Sequence, residues 1–386
     1  MKKNWEIKTL GEICNIVKDK PAPFEGEKKY FSTGDINNNK KYTYKFIKYK
    51  NKPSRANLYP SNNDVGFAKM KGTNKVFKIN EQLSGSIFST GFCILRCSDK
   101  INNNFLYWYL LSDSFQKMKN HFSGDGIMGG IGNVNIKKIQ INLPDINTQK
   151  KVVSKLDKCF ESIDKARENV EKNFLNAKDL FQSHLNKIFS QKSEGNKGYK
   201  LGEICELYQG LAINKKTKHL LVEESSLPLW RIKDLINNSP VHFVSEKGYP
   251  KKSRVYENEI IYTRTGNSLG LVFMGKNGIL HNNSFKVIPI NDSISKEYLF
   301  WFLKHDSFRK KIFLLASKAA QPDINHSTFK EQIIFYPSLN KQRILVDQIK
   351  NLDCKVESLK NNYQQELEAL DELKKSVLDK AFNGEL

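Results

Sequence analysis

No stretch of this 386-residue sequence approaches the roughly twenty consecutive apolar residues that a membrane-crossing helix needs. The opening Met-Lys-Lys-Asn-Trp-Glu also lacks the apolar core of a secretory signal, so a cytoplasmic protein is expected. Cysteines number six, and Cys93 and Cys97 form the one close pair, with no histidine nearby. Zinc and disulfides are therefore not expected, and buried free thiols are. The seven histidines are scattered, which leaves Ser/His or Cys/His nucleophile sets without support. No G-x-x-x-x-G-K-[ST] phosphate loop occurs, so ATP-driven movement is not encoded here. An Asn/Asp-Pro-Pro-aromatic tetrapeptide of amino-methyltransferases is also missing, and Leu143-Pro-Asp145 does not replace it. The glycine-dense Gly124–Gly132 segment does not follow a strand and open a helix, so it reads as a flexible loop. Nothing remains that points to catalysis. The chain reads as a binder.

What the chain does have is positive charge, a formal +22, unevenly spread. Residues 1–145 carry +12, 146–195 carry +3, 196–337 carry +8 and 338–386 carry −1. Such a field attracts polyanions, nucleic acid first, and makes binding steeply salt-dependent. A genome rich in Lys, Asn and Ile codons would raise the total. It would not leave two segments near neutral while charging the other two.

The chain also repeats itself. Leu-Gly-Glu-Ile-Cys stands at Leu10–Cys14 and again at Leu201–Cys205. Phe105-Leu-Tyr-Trp-Tyr-Leu-Leu-Ser-Asp-Ser-Phe matches Tyr298-Leu-Phe-Trp-Phe-Leu-Lys-His-Asp-Ser-Phe, and Ile141-Asn-Leu-Pro144 with Gln149 matches Ile334-Phe-Tyr-Pro337 with Gln342. Between these markers the two copies have diverged.

Residues 146–191 contain neither Pro nor Gly, and apolar residues recur there in steps of four and three, from Leu156 to Ile188, with Arg167 and His184 as interruptions. Leu345 to Val377 keep the same rhythm in a second segment, interrupted by Glu366. A 3.5-residue repeat over five or six heptads predicts two long coiled-coil helices, each about 65 Å long. Asp145 or Asn147 and Asn340 are candidate N-caps, and Gly195 and Gly384 lie past the expected ends. The linker from Gln191 to Tyr199 reaches no further than about 27 Å, and a domain of this size is roughly 35 to 40 Å across. A parallel pair would strain that connection, so the helices are expected to run antiparallel.

The expected fold is mixed α/β (α+β). Two globular domains, residues 1–145 and 196–337, are joined in a pseudo-twofold arrangement by long helices over 146–195 and 338–386. Strands are expected at Val76–Ile79, Gly91–Leu95, Glu259–Thr263 and Phe285–Ile290. One amphipathic helix per domain is expected, at Asn104–Lys119 and Lys296–Lys311, with its aromatic residues in the core.

Candidate DNA-reading residues follow the central strand of each domain. In the first domain they are Lys69, Lys71, Thr73, Asn74 and Lys75; in the second they are Arg264, Thr265, Asn267 and Ser268. Arg or Lys suits guanine edges and Asn suits adenine. Ser123, Asp125, Lys318 and Gln321 are further loop candidates, and Arg231 and Lys233 are candidate phosphate clamps. Any single one of them could equally be a solvated loop residue. As a set, polar basic loops between matched apolar frames favour recognition.

These features, in this order and twice over, resemble the specificity subunit of type I restriction–modification systems. The resemblance spans essentially the whole chain. It rests on Leu10-Gly-Glu-Ile and Leu201-Gly-Glu-Ile, on Asp64-Val-Gly-Phe-Ala-Lys and Glu259-Ile-Ile-Tyr-Thr-Arg, and on the Pro…Gln segments before each long helix. The Gln321-Pro-Asp-Ile324 loop follows the family habit, whereas Gly132-Asn-Val134 lacks the proline. The resemblance implies two target-recognition domains, each reading half of a bipartite DNA site. It further implies helices that space them and dock two methyltransferase subunits, with restriction–translocase subunits able to join. It implies no active site and no cofactor on this chain, since S-adenosylmethionine, ATP and Mg would belong to partner subunits. Two other readings remain open: a stand-alone DNA methyltransferase or nuclease of unrecognised type, and a structural coiled-coil adaptor.

Overall fold

A computed structural model describes residues 5–37, 42–124, 129–190, 197–316 and 322–386. The chain divides into two units, Met1–Glu171 with Gln364–Leu386, and Lys172–Tyr363. The long helices span Ile146–Ser190 and Leu339–Phe382, close to their expected limits. They are not domains of their own, because each unit takes one end of both. In the first unit Val152, Val153 and Leu156 from the start of one helix share a core with Leu378, Ala381 and Phe382 from the end of the other. In the second unit Phe181, Leu185 and Phe189 meet Val346, Ile349 and Val356. Opposite ends meet within each unit, so the pair is antiparallel.

Asp145 caps the first long helix, its carboxylate accepting from the Asn147 and Thr148 N–H groups at 3.0 and 3.1 Å. Asn340 lies inside the second helix and does not cap it. The Ser338 carbonyl closes that first turn by accepting from Gln342 N. Gly384 ends the second helix with φ +75°, and Gly195 lies outside the described residues. Arg167, which breaks the apolar rhythm, donates from Nη2 to both carboxylate oxygens of Asp371 at 2.8 Å. Leu359 and Leu373 were expected on the seam but are 42% and 46% exposed. Near the heads the second helix buries Val346 and Leu378 instead, because there it packs on sheet and helix together.

Each unit builds the same frame. A ribbon pairs Glu6–Thr9 with Gln140–Leu143, and its counterpart pairs Lys197–Lys200 with Ile333–Tyr336. The repeated pentapeptide follows as a single helical turn, Leu10–Ile13 or Leu201–Ile204. Its Glu12 or Glu203 accepts from the backbone N–H of Thr9 or Lys200, its Leu and Ile are buried, and its Cys begins the next strand. The glycine is required by close approach, since a Cβ on Gly11 would lie 2.9 Å from Lys137 Cβ and one on Gly202 3.0 Å from Lys330 Cβ.

The central sheet is four-stranded and antiparallel in both units. Its order is Cys14–Ile16, Phe92–Cys97, Val65–Ala68, Val76–Lys78 in the first, and Cys205–Gln209, Ser284–Pro289, Ile260–Thr263, Val272–Met274 in the second. All four expected strands are present within a residue or two. The second sheets have drifted apart. One has four strands (Lys45–Ile47, Lys28–Phe31, Ile87–Ser89, Ala56–Leu58), and the other three (Leu229–Trp230, Gly278–Leu280, Arg254–Val255).

The expected single helix of each head is two helices. Asn103–Leu111 is followed by Asp113–His121, and Lys296–Lys304 by Asp306–Ala316. At the break Ser112 adopts ψ 150° and its hydroxyl accepts from Phe115 N, ending one helix and capping the next. His305 holds the same place in the second unit with ψ 143°. The helix aromatics do pack inward, with Trp108 on Phe160 and Trp301 on Phe181 of the first long helix. All six cysteines are free; Cys14, Cys93 and Cys205 are buried, whereas Cys354 is exposed.

One residue ties each head to its stalk. Gln149, wholly buried, donates to the Lys100 and Pro144 carbonyls and accepts from Asn102 N. Gln342 repeats this with Ser293, Pro337 and Ser295. Replacing Gln342 by Ala should cost roughly 2–4 kcal/mol, because three buried backbone groups lose their partner. Gln342→Met fills the space and should still be destabilised, so urea unfolding that finds it as stable as wild type would contradict this account.

Candidate nucleic-acid interface

In the first unit the strand Val65–Ala68 runs out into the segment Lys69–Lys75. The chain turns at Met70–Thr73, with Thr73 N donating to Met70 O at 3.3 Å and Gly72 at φ +71°. Asn120 Oδ1 accepts from Gly72 N at 2.9 Å. Below the turn lies Lys119, 1% exposed, whose ammonium donates to the Thr73 carbonyl. Burial lowers its pKa from 10.5 to about 8.

The expected residues fall into distinct places. Lys71 and Asn74 are exposed, and Lys69 and Thr73 are half-buried. Asn74 Oδ1 accepts from Gln116 Nε2 at 3.1 Å. The Lys75 ammonium is anchored on the Thr33 carbonyl at 2.7 Å, which makes it a brace of the turn. Ser123 is buried with its hydroxyl on the Lys119 carbonyl, so it closes a helix end and cannot face a ligand. Asp125, Lys318 and Gln321 lie outside the described residues.

The second unit builds the corresponding turn at Arg264–Ser268. Ile324 N donates to Arg264 O and Gly266 N to Pro322 O, as Ile131 N does to Lys69 O and Lys71 N to Gly129 O. Lys69 thus corresponds to Arg264, and Gly129-Gly130-Ile131 to Pro322-Asp323-Ile324. The first unit's counterpart of the proline loop is therefore not Gly132-Asn-Val134; Gly132 instead sits at the N-cap of the next helix.

The side chains at matched positions differ. Arg264 engages Asp323 with two parallel bonds of 2.8 and 2.7 Å and reaches Gln209 Oε1 at 3.2 Å. Its fork is occupied, so it positions the turn and is not poised to grip a guanine. In the first unit Gly130 stands at the place of Asp323 and offers no carboxylate. Asn267 is exposed, Thr265 and Ser268 are half-buried, and Arg309 braces the turn through the Asn267 and Leu269 carbonyls.

Arg231 and Lys233 lie beyond this turn, at the end of strand Leu229–Trp230 and in helix Ile232–Asn237. They are linked to it through backbone groups and the His281 ring. His281 N donates to Trp230 O, Asn283 N to His281 Nδ1, and Arg264 N to Asn283 O. Arg231 Nε is buried without a partner among the described residues. Burial, and then the nearby Arg231, keep the His281 pKa below its usual value. Lys233 is exposed.

Sequence reasoning missed a further basic surface. Residues 36–63 contain seven Lys or Arg and no Asp or Glu, a signal that counting charge by whole domains averaged away. Among the described residues no three His, Cys, Asp or Glu side chains could hold a metal ion, and no helix is long and apolar enough to cross a membrane.

Fold and site together define a class: a duplicated protein with two basic heads, each presenting a braced turn, built on an antiparallel helix pair. The profile described as type I restriction modification DNA specificity domain matches residues 2–173 and again 193–369. The chain is 22% identical to the type I restriction enzyme MjaVIII specificity subunit of Methanocaldococcus jannaschii, over 99% of this chain and 93% of that one. With the EcoKI specificity subunit of Escherichia coli it shares 21% identity, over 76% of this chain and 68% of the relative. The HsdS subunit from Thermoanaerobacter tengcongensis matches at a TM-score of 0.62 and 21% identity, covering 100% and 98% of the two chains. A chain from a study of complex assembly and conformational transition of the type I R-M system matches at a TM-score of 0.84, also at 21% identity, covering 100% and 99%. The chain belongs to the specificity-subunit family of type I restriction–modification systems.

Lys119 provides a test of the braced turn. Its pKa is depressed by folding, so the unfolded state binds more protons between about pH 8 and pH 10.5, and stability should rise with pH across that window. Lys119→Met should remove that rise. Urea unfolding of both proteins from pH 7.5 to 10.5 measures it, and parallel curves would refute the buried ammonium.

Proposed function

We propose that this chain is the sequence-reading subunit of a type I restriction–modification complex, recognising the two halves of a bipartite DNA site, one with each head. The observation that carries this reading is the twice-matched DNA specificity domain, whose shared frame presents unlike residues at the same turn. Affinity would come from the basic heads meeting phosphates. Discrimination would come from exposed side chains such as Lys71, Asn74 and Asn267 reaching base edges, with Lys69 beside them. Arg231 and Lys233 suit phosphate contacts.

The helix pair would set the distance between half-sites and dock two methyltransferase subunits, with restriction–translocase subunits able to join. Catalysis would then reside in the partners, together with S-adenosylmethionine, ATP and Mg, in the cytoplasm. The family membership does not favour a stand-alone methyltransferase or nuclease, or a coiled-coil adaptor.

Exchanging residues 1–145 for the matching segment of another family member should change one half of the methylated sequence and leave the other unchanged. Methylome sequencing of the host reads this directly; a change in both halves would defeat the modular reading. Adding one heptad to both long helices should lengthen the gap between the halves, and an unaltered gap would remove the ruler role.

A further inference from the structure

The basic segment of the first unit carries two exposed aromatic rings that neither the turn nor the core employs. Strand Lys45–Ile47 is the edge of its four-stranded sheet, paired antiparallel to Lys28–Phe31. Lys29 stands opposite Phe46, and Tyr44 is two residues before Phe46, so the three side chains share one face. Tyr44 is 44% and Phe46 58% exposed. Their centroids lie 5.3 Å apart at 83°, and the Lys29 ammonium sits 4.8 Å from the Tyr44 centroid. Tyr44 is backed by the buried Phe31, 5.9 Å away, which fixes its ring without covering it. Lys48 follows on the same face by alternation and is exposed, whereas the exposed Lys45 points to the other face.

Lysines on an edge strand serve to prevent pairing with another chain. That accounts for Lys45, but not for two large rings left in water beside it. The segment between Asp35 and Asp64 holds no acid, so although Glu27 precedes Lys28 on the neighbouring strand, the net charge here suits a polyanion. A duplex offers phosphates but keeps its base faces stacked within. An unpaired strand offers both phosphates and free base faces, and stacking on aromatic rings inside a basic groove is how such strands are held.

We propose that the Tyr44–Phe46 face binds unpaired, single-stranded DNA, with bases stacked on the two rings and backbone phosphates met by Lys29 and Lys48 beside them. The face adjoins the candidate reading turn. Thr43 bonds Asp35 through N and Oγ1, Asp35 closes the turn that begins at Ser32, and the Thr33 carbonyl in that turn receives the Lys75 ammonium. A strand parted from its complement beside the reading turn would reach the platform without crossing a unit boundary. The site goes beyond duplex reading and stands without it.

The test is fluorescence anisotropy with a labelled short oligothymidylate and a labelled non-specific duplex, using the full chain. The Tyr44→Ala/Phe46→Ala variant should lose roughly tenfold in oligothymidylate affinity per ring, and its duplex affinity should be unchanged. Phe46→Trp should keep the single-strand affinity, with indole fluorescence quenched by oligothymidylate and not by duplex. This second variant carries the test if the alanine pair folds poorly. Equal losses for both ligands would mean a surface for duplex phosphates only, and would overturn the proposal. So would unaltered oligothymidylate binding. Loss of single-strand binding with both half-sites still methylated would support this site and leave the half-site reading intact.

Discussion

Gln149 and Gln342 sit on the first turns of the two long helices, and each is wholly enclosed. The amide donates to the carbonyl that ends the preceding ribbon and to a carbonyl before the head's helix pair, and accepts from the N–H that starts that pair. Three backbone groups from separate segments would otherwise be buried unpaired, at a cost comparable to a lost hydrogen bond each. Because that one amide satisfies all of them, head and helix cannot shift independently. The direction in which each head leaves its helix, and with it the placement of its reading turn, depends on this tie.

The turns themselves show how a duplicated frame acquires two characters. Backbone bonds at Lys69–Lys71 and Arg264–Gly266 are the same, so the two turns share an anchor, and they then diverge, with positive φ at Gly72 in one and at Gly266 in the other. Their electrostatics differ too. Asp323 neutralises Arg264 through a bidentate pair, while its counterpart Gly130 offers Lys69 no carboxylate, and Lys69 has no such partner among the described residues. One turn therefore presents net positive charge close to the strand end, and the other presents amides and hydroxyls around a satisfied ion pair. Divergence has acted on the turns and on the second sheets, and has left the hydrogen bonds of the ribbon, the central sheet and the glutamine tie in place.

Much of the architecture was legible in the residues. The Leu-Gly-Glu-Ile-Cys repeat is a helical turn whose glycine, glutamate and apolar residues each have a fixed task, so it resists change and stays visible. Heptad spacing located both long helices because a long apolar period has few other uses. The break at Ser112 and His305 was hidden, since the apolar pattern continues across it and only the cap geometry interrupts the backbone. The basic run at residues 36–63 was hidden differently, because a domain-wide count gives the total excess and not its concentration in one acid-free stretch.

The sequence by itself determined the duplication, the two stalk helices, the positive charge of the heads and the family. These depend on periodicity, composition and short local motifs, all of which survive in one dimension. Only the tertiary structure decided which charged groups are available. Arg264 faces Asp323 across 59 residues, Lys75 meets a carbonyl 42 residues away, and Lys119 is driven beneath a turn 46 residues before it. Whether a cation can reach a ligand depends on what folding has brought against it, and contacts between distant segments leave no periodic trace in the chain.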